Sequence, residues 1–499
     1  MKSEDLYNAV TDLEDQKILE GEKPLRPARS ARLRWLGGIA ALLTLVLLSS
    51  LVLPGLLREK NELPAESSGN LNAGDFSLAA AVYPKLAPMP DYYKRNLLQE
   101  LLGEYEENPN YDAEYEAWEK DQEAFRPGRD YAEGFDPCFQ GMLPGLLQGA
   151  GDQNRVVSPL NLYLALAMLT ETTAGDSQQE LLELLKTTDL QTLRSRANAL
   201  WRGCYHDEDF TLLPGASLWL RDDSQYNQEL VNLLASNYYG SVFSGPMGTE
   251  RYETAMQSWM NEQTRSLLSE QIQMISQPAD SMMELITTLY YKAAWLDPLS
   301  DPESGVFHAV TGDENCSFMY NGFNIFYTGE HFSAASIGMD GGGAMYFLLP
   351  DEGSTPESLM EQEDVLAFLS GSAGREQTPS RWVEGSLKLP QFDVNSETRL
   401  KEFLPKLGVE AVLDPDRADF SPLCAEATGV FLEDGLHDVR VVIDQNGVCG
   451  AALCIFFDVA NALDTDETEI VRLVLDRPFL FVLANPEGIP VFVGIVNHP

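Results

Sequence analysis

The chain has 499 residues, 77 acidic against 34 basic, and a formal net charge of −43. So negative a surface repels phosphate backbones, and nucleic acid is not expected as a partner. Hydrophobic residues make up 44% of the chain, enough for a sizeable core. Six cysteines are too few for a disulfide scaffold at this length.

Residues 1–34 form a short polar head that ends in the Arg-rich "KPLRPARSARLR". Residues 35–57, "WLGGIAALLTLVLLSSLVLPGLL", carry no charge over 23 positions, long enough to span a bilayer. The Arg excess before this run places the head in the cytoplasm and the rest outside. The run is therefore read as a transmembrane signal anchor. A secreted product of signal cleavage is the alternative, but the run is long for a signal peptide and "AES" is a poor cleavage site. Residues 58–130, acidic and rich in Tyr and Pro, read as a stalk.

From 131 to 499 the chain reads as globular. "PLNLYLALAMLTETT" has the pattern of a buried helix, and "DSQQELLELL" of an amphipathic one with an Asp N-cap. "LLPGASLWLRDD" and "ELITTLYYKAAWL" read as buried strands. "YETAMQSWMNEQTRSLLSEQI", between them, reads as a surface helix. "GAMYFLLPDEG" and "SLKLPQFDVNSET" each read as a strand, and "RLVLDRPFLFVLANPEGIPVFVGIVNHP" as a hairpin turning at "NPEG". Helices come mainly first and strands mainly last, which is an α+β pattern.

Nothing in the chain points to catalysis. The five histidines (206, 308, 331, 437, 498) occur in no metal-protease context, and no phosphate-binding glycine loop or nucleophile elbow is present. "CGAALC" (449–454) lacks nearby histidines and is a weak zinc signal. No enzyme activity, metal or cofactor is expected.

Motifs from 131 onward change the reading. "LVLDRPFLFVL" (473–483) resembles the C-terminal signature of the serpins. "FLPKLGVEAVLDPDRADFSPL" (403–423), "VVSPLNLYLALAMLTETTAGDSQQELLELL" and "LYYKAAWLDP" resemble further serpin stretches in matching order. The resemblance implies a serpin fold: large mixed or antiparallel β-sheets, about eight or nine surrounding helices, and an exposed reactive-centre loop, here about 447–472. It also implies suicide inhibition. A protease cleaves the loop and is held as an acyl-enzyme, and the cut loop then inserts into the main sheet.

The hinge segment is implied at Gly447, Val448, Cys449, Gly450, Ala451 and Ala452. Insertion as a central strand excludes Pro, and none occurs between 439 and 477. Alternation puts Val448, Gly450, Ala452 and Cys454 on one small, apolar face that suits burial. The hinge departs from the family in having Val448, Gly450 and Cys454 where Thr or Ser, Ala, and Thr are usual. Cys449 and Cys454 would lie roughly 16–17 Å apart in a strand. A disulfide between them would therefore forbid insertion, since it needs Cα atoms within about 7 Å.

The scissile bond is expected around Asn461, Ala462 and Leu463, and Leu463 suits a chymotrypsin- or elastase-like pocket. The trailing "DTDETE" disfavours proteases with acidic clefts. Ser158 and His437 match family residues that control sheet opening, Thr287 stands where Asn is usual, and Trp295 matches a Trp beneath the point of insertion. Arg194, Arg196 and Arg202 read as solvated rather than as a polyanion site. The expectation is a monomeric, bacterial, membrane-anchored serpin that traps a serine (less readily a cysteine) protease at the outer cell surface. The alternative is a non-inhibitory serpin acting as an extracellular binding or adhesion module.

Overall fold

The computed structural model describes residues 73–86, 89–90, 92, 107–207, 210–276, 278–279, 281–341, 343–425, 430–432, 434–448 and 469–499. The expected head (1–34) and membrane anchor (35–57) lie outside them. Among the described residues no helix is long and apolar enough to cross a membrane.

A compact unit runs Leu71–Pro499. It includes part of the segment read as a stalk, 58–130. Within "FSLAAAVY", strand β1 (Ser77–Ala79) pairs antiparallel with β5 (Gly240–Gly245). An open sheet edge offers free N–H and C=O groups, and this short apolar run covers them. Beyond it Tyr83 stacks on Trp201 with ring centroids 5.8 Å apart. Helix α1 (Tyr111–Phe125) buries none of its residues. It is held at its C-terminal end, where Arg126 donates to the carbonyls of Arg202 (3.1 Å) and Tyr205, and Arg202 donates back to the Phe125 carbonyl.

Helix α2 (Asp136–Leu147) and strand β2 (Arg155–Val157) lead to α3 (Pro159–Glu171). The Ser158 hydroxyl accepts from the Asn161 N–H at 3.2 Å, and Pro159 occupies the first helical position, a favourable pair of start signals. All residues of α3 are buried, as expected of a helix apolar on every side. In α4 (Gly175–Leu184) the N-cap is Ala174, not the expected Asp; Asp176 stands in the first turn, where its charge still suits the helix dipole. Helix α5 (Leu190–Cys204) is capped by Asp189, which accepts from the Thr192 N–H at 2.8 Å.

Strands β3 (His206–Asp207) and β4 (Thr211–Arg221) precede α6 (Gln228–Asn237) and β5. The surface helix expected next divides into α7 (Glu250–Gln263) and α8 (Ser269–Ile272), because Arg265 and Ser266 take left-handed backbone at φ 49° and 63°. Then come β6 (Met283–Ala294), β7 (Glu303–Ala309), β8 (Gly312–Thr328), β9 (Phe332–Gly338), β10 (Ala344–Pro350), α9 (Glu363–Ser370) and α10 (Ser372–Gln377). "SLKLPQFDVNSET", read as one strand, is two: β11 (Ser380–Pro390) and β12 (Phe392–Arg399), in different sheets. Pro390 has no N–H to continue a ladder, and the next N–H, of Gln391, bonds the Ser317 carbonyl at 2.8 Å. Helix α11 (Leu400–Phe403), β13 (Leu436–Ile443), β14 (Gly447–Val448), β15 (Ile470–Val474) and the hairpin β16 (Phe479–Ala484) and β17 (Pro490–Val496) complete the chain. Among the described residues there are eleven α-helices rather than eight or nine; α8, α10 and α11, of four to six residues, account for the excess.

The strands form two large mixed sheets. The first runs β1-β5-β4-β6-β14-β13-β12 and the second β15-β11-β8-β9-β10-β16-β17-β2, with β3 and β7 paired at the sides. The first sheet is buried on both faces. Met283, Leu285, Tyr291 and Ala293 of β6 belong to the main core with α3, while Ile286 joins Trp219, Phe243 and the Tyr252, Met256 and Trp259 of α7 in a smaller core.

Candidate loop-insertion site

Strands β6 and β13 run parallel, and the pair Ile286 and Leu436 sets their register. Seven residues further along both strands, Ala293 and Ile443 flank Val448, which pairs antiparallel with each of them. The two offsets agree, so β14 is a two-residue wedge at the end of a seam that is closed at Ile286–Leu436. Val448, Ala293 and Ile443 are all buried in the main core.

Gly447 is dictated by close approach. A Cβ there would stand 2.3 Å from the Ala293 carbonyl oxygen and 2.9 Å from the Ala294 Cα. The turn before it is built by Asp444, whose carboxylate accepts the N–H groups of Asn446 (2.7 Å) and Gly447 (3.1 Å) while its own N–H donates to the Gly447 carbonyl (3.1 Å). Buried Trp295 holds the same turn: its indole N–H donates to the Asp444 carbonyl at 2.9 Å and its backbone N–H to Asn446 at 3.2 Å. Leu299 N–H reaches the Gln445 carbonyl at 3.1 Å, and the Gln391 side chain reaches that of Gln445 at 3.1 Å.

At the closed end the structure brings Ser158 and His437 together. The Ser158 N–H donates to His437 Nε2 at 3.0 Å, which places the imidazole proton on Nδ1. Nδ1 itself has no partner among the described residues. Burial pushes the His437 pKa down to about 4, so the ring is neutral at pH 7. The β6–β13 register puts Thr287 level with His437 on the same core face, yet among the described residues no hydrogen bond joins Thr287 to His437 or Ser158. On the opposite face of the sheet, Asp438 and Glu397 line a cavity of about 530 Å³ with Met260 and Met274. Burial, and then Glu397, raise the Asp438 pKa to about 6. Beside the seam Arg440 binds Asp393 through two contacts (2.6 and 2.9 Å) and donates to the Leu267 carbonyl beyond α7 at 3.0 Å.

Cys449, Gly450, Ala451, Ala452 and Cys454 lie outside the described residues, as do Asn461, Ala462 and Leu463. The three arginines expected to be solvated make internal contacts. Arg194 binds buried Glu171 through two contacts (2.6 and 2.8 Å), Arg196 donates to the Gly134 carbonyl (2.7 Å), and Arg202 reaches the end of α1.

Residues 141–499 match the family model described as Serpin (serine protease inhibitor). The chain belongs to the serpin family. Among relatives, Serpin-Z2A of Oryza sativa subsp. japonica is 25% identical over 406 residues, covering 70% of this chain and 92% of the relative. Plasminogen activator inhibitor 1 of Neovison vison is 24% identical over 372 residues, covering 70% and 89%. The native thermophilic serpin tengpin superposes with a TM-score of 0.66 at 18% identity, covering 75% of this chain and 95% of that one. Tengpin shares the fold described above.

In this serpin the expected Gly447, Val448 and Trp295 meet at the top of the seam, and Ser158, Thr287 and His437 gather at its closed end. Sequence reasoning missed Asp444 and Gln391. "DQNG" carries the signal for the first, an Asp two and three residues before N–H groups of a turn. Gln391 meets Gln445 only through the fold.

Proposed function

We propose that this serpin is a suicide inhibitor of a serine protease. The protease hydroxyl attacks the scissile carbonyl of the reactive loop, the peptide bond breaks, and the loop's N-terminal portion stays attached as an ester. That portion then enters the β6–β13 seam before water can cleave the ester. The protein is consumed, so it is no catalyst. The observation that carries this reading is Val448, seated between Ala293 and Ile443. A strand continued from it would bring Gly450, Ala452 and Cys454 onto the core face. Cys454 would stand level with Thr287 and His437. Small residues on that face favour entry into a packed interior. Leu463 favours a chymotrypsin- or elastase-like target, and the 35–57 run favours action at the outer cell surface.

The test is to incubate the full chain with such proteases and look for an SDS-resistant complex. Ala452→Glu, on the core face, should abolish the complex while the loop is still cleaved. Ala451→Glu, one residue away on the face toward Arg440, should retain it. Clean cleavage of the parent chain with no complex across a broad panel would sink the inhibitor reading in favour of a non-inhibitory binding role.

A further inference from the structure

The cavity of about 530 Å³ on the face of the first sheet that carries the smaller core has the size of a small-molecule site, about 300–1,000 Å³. Its apolar wall comes from Met260 of α7, Ile286 of β6, and the Met274 and Ile275 that follow α8. Met260 and Ile286 are buried in the smaller core, whereas Met274 is 79% exposed. An unbranched, polarisable thioether adapts to an irregular guest.

Two polar groups in the same wall lack a counterpart. Asp438 of β13 stands directly opposite Glu397 of β12, so two carboxylates share one face about 5 Å apart, a destabilising pairing. Arg399 relieves Glu397 at 2.6 Å and reaches Asp434 at 3.5 Å, and Arg440 is taken by Asp393. Among the described residues no cation stands within ion-pair distance of Asp438, whose carboxylate accepts from the Val439 N–H. Gln271 of α8 also lines the cavity, and its side-chain oxygen is buried with no hydrogen-bond partner among the described residues. Burying an acceptor without a donor leaves its desolvation uncompensated. Both groups are acceptors, so the missing partner is a donor, and beside a carboxylate a cationic one. A metal ion does not fit, because no group of His, Cys, Asp or Glu among the described residues is placed to hold one.

We propose that this cavity binds an amphipathic organic cation, a primary amine on a short aromatic or alkyl body. Its ammonium group donates to Asp438, with Gln271 as a second acceptor, and its body displaces water from Met260, Met274, Ile275 and Ile286. The other charged groups around the cavity are Glu284 of β6, Glu397 and Arg399 of β12, Asp434 before β13 and the exposed Lys401, while the lining residues of α7 and α8 carry no charge. Carboxylates thus outnumber cations four to two, and Arg399 is already engaged by two of them, which disfavours an anionic ligand. The site is independent of the inhibitor reading.

The experiment titrates 2-phenylethylamine into the full chain by calorimetry at about pH 7.5, in physiological salt that screens the acidic surface. The uncharged 2-phenylethanol and the anionic 3-phenylpropionate serve as comparisons. The amine should saturate a single site, and the alcohol should bind at least about tenfold more weakly, as loss of a charged hydrogen bond does. Asp438→Asn should weaken the amine by about the same factor and leave the alcohol unchanged. That variant is expected to be more stable than the parent at this pH, so a loss of binding does not reflect misfolding. Met274→Ser should weaken amine and alcohol alike, by about threefold. At about pH 5 the amine should bind the parent about tenfold more weakly, because Asp438, with its pKa of about 6, then holds a proton; the Asp438→Asn variant should lack this loss. Equal affinity for amine and alcohol overturns the proposal. So does an unchanged affinity in Asp438→Asn, which sets the amine elsewhere on the acidic surface. Absence of saturable binding by the amine up to about 10 mM overturns it as well.

Discussion

The indole N–H of Trp295 donates to the backbone carbonyl of Asp444 at 2.9 Å, tying the end of β6 to the turn that carries the hinge. Trp295→Phe keeps most of the ring but leaves that carbonyl without its donor, at a cost of about 1 kcal/mol. Asp444→Ala removes the acceptor of two backbone N–H groups and should cost about 1–2 kcal/mol. Urea unfolding of both variants checks the order.

Gly447 admits no side chain without moving the Ala293 backbone. Gly447→Ala should destabilise the native chain by about 1–3 kcal/mol, because a main-chain oxygen must yield. The same substitution at Gly149, which has open space around its Cβ position but a left-handed φ of 80°, should cost about 1 kcal/mol through backbone strain alone. A Gly447 variant as stable as the parent would show that the hinge does not seat in the seam.

Arg440 reaches from β13 to the Leu267 carbonyl beyond α7, so spreading the seam breaks that hydrogen bond. Arg440→Met should speed spontaneous conversion to a loop-inserted, heat-resistant form about fivefold, the rate equivalent of one bond of about 1 kcal/mol. The rate at which native chain becomes resistant to heating measures it; a rate equal to the parent's would remove Arg440 from the barrier.

Two neighbouring groups give opposite pH dependences. His437 has a native pKa lowered to about 4 from about 6.5. Its contribution is therefore present above pH 6.5 and is lost as pH falls toward 4, a difference of about 3 kcal/mol. Asp438 has a native pKa raised to about 6, so its contribution is present below about pH 4 and is lost as pH rises through 6. Asp438→Asn should stabilise the chain at pH 7.5 by about 1–2 kcal/mol, allowing for solvent around this half-buried group. That advantage should vanish by about pH 4. Urea unfolding across this range checks it, and the variant should lose stability on acidification more steeply than the parent.

Much of the fold is legible in the sequence because its signals are local. The cap at Ser158, the apolar α3 and the strands β4, β6 and β10 follow from residue periodicity and start signals. The strand-forming residues around Pro390 look continuous, and only their hydrogen-bond partners show that they divide between two sheets. The break at Arg265 and Ser266 lies in an unbroken helical pattern. Segment 76–83 reads as a stalk because its few apolar residues cannot make a core alone; Leu78 and Val82 stay exposed, and the pairing of Ser77 and Ala79 with the distant β5 is a contact no local pattern shows.

The same division holds at the site. Sequence by itself determined the chemistry of the hinge: no proline, a glycine at 447, small residues on alternate positions, and the serpin motifs around them. Whether those residues meet a gap is a matter of strand pairing between segments some 150 residues apart, which no local pattern encodes. Only the tertiary structure decided that Val448 is level with Ala293 and Ile443, that Asp444 and Trp295 hold the turn, and that the seam is closed at Ile286 and Leu436. The physical reason is that register between distant strands is set by the packing of whole sheet faces, to which each residue contributes little.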